Sequence, residues 1–242
     1  MTEQKHLPDL TGAVAGLSIL LFLPVIFEFI NRYLCIESMT LLLILFQFPV
    51  HLLILFLFFR IVPGLAEDPS VSNWRERIQF LRLGRTERFS IRDTASRFGT
   101  MFVILMLVTW AVHIIKVTFK LHLPPQPLVQ IVLKGNSEVI VMVLISAVLL
   151  APLAEELLFR GAIFRTLSIK LDREWAGLIT SLCFAAMHWN TLQFLPLFAM
   201  GQLLQKAYNE TDTILTPTLM HMTHNALSLV WLITSTWILK WL

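Results

Sequence analysis

Residues 138–159 read EVIVMVLISAVLLAPLAEELLF. The stretch is apolar for almost its whole length and then places two adjacent carboxylates, Glu155 and Glu156, near its end. It is long enough to cross a bilayer at roughly 20 residues per helical span. Its apolar residues are continuous rather than alternating with period two, which selects a helix over a barrel strand. Only helices and closed barrels cross lipid, because each backbone N–H and C=O must find a partner inside the protein.

The rest of the chain fits that reading. Of its 242 residues 56% are hydrophobic and only 14% charged, against about a quarter charged in soluble domains. The mean hydropathy is +0.72. Apolar segments lie near 10–30, 36–59, 99–117, 138–159, 176–189, 192–208 and 214–239. The fold expected is all-α, a polytopic integral membrane protein of about seven or eight transmembrane helices. Residues 1–137 form N-terminal transmembrane helices with a basic loop at 60–98, and 138–242 form a catalytic helical core. The run from Leu10 to Ile30 follows a single basic residue, Lys5, and no small-x-small cleavage site succeeds it, so it reads as an anchored first helix. Cys35 and Cys183 are the two cysteines. Cys183 falls inside an apolar segment, which argues against a disulfide framework.

The net charge of +3 fits cytoplasmic loops and contact with membrane lipid. No recognition motif accompanies it, so nucleic acid is not an expected partner. Arg60, Arg75, Arg77, Arg82, Arg85, Arg88, Arg92 and Arg97 crowd into 60–98, interleaved with Trp74, Ile78, Phe80, Leu81 and Leu83. That spacing suits an amphipathic helix on the membrane surface, or a solvated basic loop. With the N-terminus and 60–98 in the cytoplasm, 14 of the 19 basic residues fall inside, Arg160 among them. The bias favours that orientation.

Ionisable groups inside apolar helices are costly and mark functional sites. Three clusters carry them. In the first, Glu156 and Arg160 are spaced i, i+4 with the acid first, a favourable ion-pair order. Glu155 points about 100° away around the helix. One glutamate can then clamp the structure while the other serves as a general base. The alternative is a pair facing water at the membrane border, with Arg160 as an interfacial anchor. In the second, Phe184 stands one turn before His188, which closes a short apolar helix. In the third, His221 and Asn225 share a helix face, with His224 as a neighbour. Such residues can bind a metal, donate hydrogen bonds to an oxyanion, or bridge helices. Glu28, Glu37, His51, His113 and Glu138 read as interfacial or helix-contact residues. Together the three clusters offer a general base, a water-binding histidine and oxyanion donors, the parts that peptide hydrolysis requires.

The order Glu155-Glu156-x-x-x-Arg160, Phe184-x-x-x-His188, His221-x-x-x-Asn225 resembles the CPBP family, the CAAX-protease and bacteriocin-processing (Abi) intramembrane proteases. The resemblance spans roughly 138–235, and Phe159-Arg160-Gly161 is similar to bacterial members, which implies a bacterial cell membrane. It implies an endopeptidase acting on a peptide or protein at the membrane, either a prenylated CAAX-type end or a bacterial leader or surface peptide. The cavity is expected to open to the cytoplasm. Glu155 with His188 would activate water, Glu156 would orient the site and pair with Arg160, Phe184 would support His188, and His221 with Asn225 would stabilise the oxyanion. Members have been described as metalloproteases and as glutamate-dependent enzymes. A divalent metal such as zinc, held by Glu155, His188 and His221, and a metal-free mechanism both stay open. A non-enzymatic membrane scaffold or immunity protein, and a proton or metal pathway, are the competing functions.

This drawing contains a conflict. It sets Glu155 near the cytoplasmic end of its helix and His188 at the far end of another, about 18 Å away along the axis. A shared water requires 176–189 to dip or tilt, or Glu155 to lie deeper.

Overall fold

The computed structural model describes Arg82, residues 87–121 and residues 137–241, with side chains through 235. The expected segments at 10–30 and 36–59, and most of the basic stretch 60–98, lie outside the described residues. Those residues form helices and no strand. We label the helices α1 (Ile91–Thr118), α2 (Ser137–Leu167), α3 (Arg173–Ala186), α4 (Phe194–Thr211) and α5 (Leu215–Trp241). α1 and α2 are long and apolar enough to cross a bilayer.

α1 begins at Ile91, well before the apolar run at 99, so the polar residues 91–98 belong to the helix and not to the basic loop. A local signal sets this start. The Ser90 hydroxyl accepts from the Asp93 N–H at 3.2 Å, satisfying one of the donors a helix start leaves open. α1 then packs Met101 and Leu105 against Met200, Leu204 and Ala207 of α4 and Met220 of α5. Its remaining apolar side chains, such as Val103, Leu107 and Trp110, are exposed, as lipid-facing residues are.

α2 does not stop near 159. It continues to Leu167, and every residue from Leu157 to Phe164 is buried. Two stretches, Ile145–Leu150 and Leu157–Phe164, take wide π-helical turns on either side of the glutamates. Such turns place an extra residue in the helix and frequently mark functional sites. Leu157, Leu158, Phe159, Phe164, Phe184, Tyr208 and Ile214 form the central core. α3 and α4 form a hairpin whose contact depends on small residues. A Cβ on Gly201 would meet Ser181 Cβ at 3.0 Å and Ser181 Cα at 3.2 Å, so only glycine allows this approach.

Charged groups collect at one end of the bundle. Arg82 pairs with Asp212 and Arg97 with Glu210, while Arg173 donates to the Asn209 side-chain oxygen at 3.1 Å. The Arg82 carbonyl accepts from the Ile214 N–H at 2.9 Å and from the Thr213 hydroxyl at 3.0 Å. Arg82 and Arg97 are thereby tied to the end of α4 and the α4–α5 corner.

Candidate active site

The continuation of α2 to Leu167 sets Glu155 deeper than the sequence reading drew it. Glu155 lies up to about 18 Å from the end of α2, well inside the bundle. Arg160 is not an interfacial anchor either: Glu156 and Arg160 are both 0% exposed. Arg160 Nη1 donates to Glu156 Oε1 at 2.9 Å and Nη2 to the Gly201 carbonyl at 2.8 Å. Its guanidinium carbon lies 5.5 Å from the centre of the Phe184 ring. A buried cation must have partners of this kind.

His221 joins the same cluster, a contact that sequence spacing did not show. Its Nδ1 stands 3.1 Å from Glu156 Oε1. The carboxylate accepts, so Nδ1 carries the proton and Nε2 is turned to Glu155, 3.9 Å from Oε2. Glu156 therefore ties Arg160 on its own helix to His221 on α5. Its neighbour differs. Glu155 is partly exposed, with its side chain 18% accessible; Oε2 of each glutamate lacks a hydrogen-bond partner, but only Glu156 is clamped through its other oxygen.

His188 is positioned by backbone. Its Nδ1 lies 2.8 Å from the Phe184 carbonyl. A carbonyl only accepts, so Nδ1 donates and Nε2 keeps a free lone pair, able to accept from water. The Phe184 ring lies between the two histidines, 4.9 Å from His188 and 5.8 Å from His221, centre to centre. Phe159 packs on its edge at 5.2 Å. Phe184 thus acts as a spacer that sets both imidazoles.

Asn225 donates through Nδ2 to the Ala147 carbonyl at 2.9 Å, inside the first wide turn of α2. Its second amide hydrogen remains to be given elsewhere. His224 sits beside His221 with a buried Nδ1 that has no partner. Gly201, which supplies Arg160 with a carbonyl, was not singled out in the sequence. The only signal was a small residue in the middle of an apolar helix.

Glu155, His188 and His221, the candidate zinc ligands, are not gathered into a cage. Among the described residues no group of three His, Cys, Asp or Glu side chains could hold a metal ion. The arrangement instead provides one clamped carboxylate, one unpartnered carboxylate, and two imidazoles of fixed orientation.

No curated protein and no solved structure matches the chain. A family model does, over less than half of the chain and over the part that supplies every group just described. Residues 137–227 match the Rce1-like family, described as type II CAAX prenyl endopeptidase Rce1-like, in agreement with the resemblance of the three motifs to the CPBP family.

Proposed function

We propose that this chain is an intramembrane endopeptidase that hydrolyses peptide bonds of membrane-associated substrates with a glutamate-activated water. The observation that carries the reading is the asymmetry of the adjacent carboxylates. Glu156 is fully buried and its Oε1 is shared by Arg160 and His221, whereas Glu155 is partly exposed and its Oε2 stands 3.9 Å from His221 Nε2 without a hydrogen bond. The match of residues 137–227 to a protease family supports the same reading.

In the proposed reaction, a water hydrogen-bonded to His188 Nε2 gives a proton to Glu155. Its oxygen attacks the scissile carbonyl carbon. The tetrahedral oxyanion takes hydrogen bonds from the second Asn225 N–H and from His221 Nε2 when that nitrogen is protonated. Glu155 then passes its proton to the leaving nitrogen as the C–N bond breaks. Glu156 and Arg160 do not touch the substrate; they hold His221. General base catalysis contributes about 10²–10⁴ in rate, and each oxyanion donor about 10²–10³. No step runs through a metal, because the donor set does not form a three-ligand site.

The test compares new protein N-termini in cells carrying the wild-type chain or Glu155→Gln. Ends present only with wild type are expected, and they name the substrate. Identical profiles with equal amounts of both proteins in the membrane would reject proteolysis in favour of a scaffold.

A further inference from the structure

Three arginines from separate parts of the chain converge on one tyrosine. Tyr208 is buried, and its ring packs edge-on against Phe164 at 5.7 Å, centre to centre. Arg82, Arg165 and Arg173 all lie close enough to its hydroxyl to act on it electrostatically. Arg82 and Arg165 also act on each other. Arg82 precedes α1, Arg165 stands near the end of α2, and Arg173 opens α3.

The partners of this trio leave it strongly cationic. Arg82 pairs with Asp212. Arg173 is held by neutral groups. It donates to the Asn209 side-chain oxygen at 3.1 Å, and its guanidinium carbon lies 5.3 Å from the centre of the Phe164 ring. Asp172 and Glu174 flank Arg173 in the chain, yet among the described residues neither forms an ion pair with it. Among those residues Asp212 is the one carboxylate paired with the trio.

Like charges held together repel, and the partial burial of Arg165 weakens the screening that would relieve them. An anion that accepts from several guanidinium groups at once removes that cost. Phosphate suits the purpose, since its oxygens match the planar fork of arginine two at a time. Arg173 is exposed and Arg82 partly so. Arg97, at the same end, belongs to a different set: it pairs with Glu210, which Lys206 also approaches at 4.0 Å.

We propose that Arg82, Arg165 and Arg173 form a binding site for a phosphate group, carried by an anionic lipid headgroup or free in solution. The site shares no residue with the glutamate–histidine cluster and does not depend on the protease reading.

Native mass spectrometry of the full chain in a neutral detergent reads the binding, with phosphatidylglycerol, phosphatidylcholine and inorganic phosphate titrated separately. Wild type is expected to retain phosphatidylglycerol or phosphate in preference to phosphatidylcholine, whose choline offsets the phosphate charge. Phosphatidylglycerol that excess inorganic phosphate does not displace identifies a lipid headgroup. Inorganic phosphate retained with no preference for phosphatidylglycerol over phosphatidylcholine identifies the free anion. Arg165→Gln and Arg173→Gln should each weaken retention about tenfold or more, as loss of a charge-assisted hydrogen bond does. Arg97→Gln should leave it unchanged. No retention of either anionic probe, equal retention by wild type and both variants, or equal weakening by Arg97→Gln would overturn the site. Arg173 is exposed, so its variant decides the matter even where Arg165→Gln fails to fold.

Discussion

Glu155 and Glu156 are adjacent in the chain and identical in chemistry, yet they belong to different regions. Glu156 lies on the sealed side of α2, 0% exposed, with Arg160 and His221 on one of its oxygens. Glu155 is partly exposed, 18% accessible, and its Oε2 stands 3.9 Å from His221 Nε2 without a hydrogen bond. One step of about 100° around the helix separates a carboxylate that holds structure from one free to react. Stability and activity should therefore respond to different residues.

The largest effect on stability is expected from Arg160→Met. Removing one partner of a buried ion pair leaves the other charged and uncompensated, at a cost of about 3–5 kcal/mol. Thermal unfolding in detergent should show it, and Glu156→Gln added to Arg160→Met should recover part of the loss. If Arg160→Met were as stable as wild type, the clamp reading of the sealed region would fail. Glu155→Gln should behave oppositely, losing about 10²–10⁴ of cleavage rate with an unchanged melting temperature. A matching loss of stability would erase the distinction between the two glutamates. Gly201→Ala comes next. Its Cβ would press on Ser181 backbone and side chain, an overpacking cost of about 1–3 kcal/mol, and would move the carbonyl that holds Arg160. Gly161→Ala meets only the flexible end of Ile214 at 3.2 Å and should cost less, so the pair of melting curves isolates the α3–α4 contact. Dialysis against a chelator should leave cleavage unchanged; loss restored by zinc would reinstate a metal. The smallest effect belongs to Arg97→Gln. Its pair with Glu210 is about one-third exposed on each side, and such pairs contribute about 0–1 kcal/mol.

The helical class and the motif pairings were legible because they are local. Glu156 and Arg160, four apart, do pair, and Phe184 and His188, four apart, do share a hydrogen bond. What escaped is non-local. α2 reads as ending near 159 because arginine in an apolar run looks like an interface. Its burial is made possible by Gly201, 41 residues away in sequence, which no window around Arg160 contains. The Glu156–His221 contact spans 65 residues and depends on how α2 and α5 pack. The start of α1 was hidden for the opposite reason. Its first turns are polar, and hydropathy is silent about a helix that begins with a serine cap.

The wide turns of α2 carry a consequence for how this site can change over generations. Each is, in effect, a residue spliced into a regular helix. Deleting one residue between Ile145 and Leu150 would restore ordinary winding there. It would also swing everything before it by about 100° relative to the glutamates, taking Val139 and Val143 away from Leu229 and the Ala147 carbonyl away from Asn225. Lineages of this chain should thus accept many changes of letter in α2 but very few changes of length.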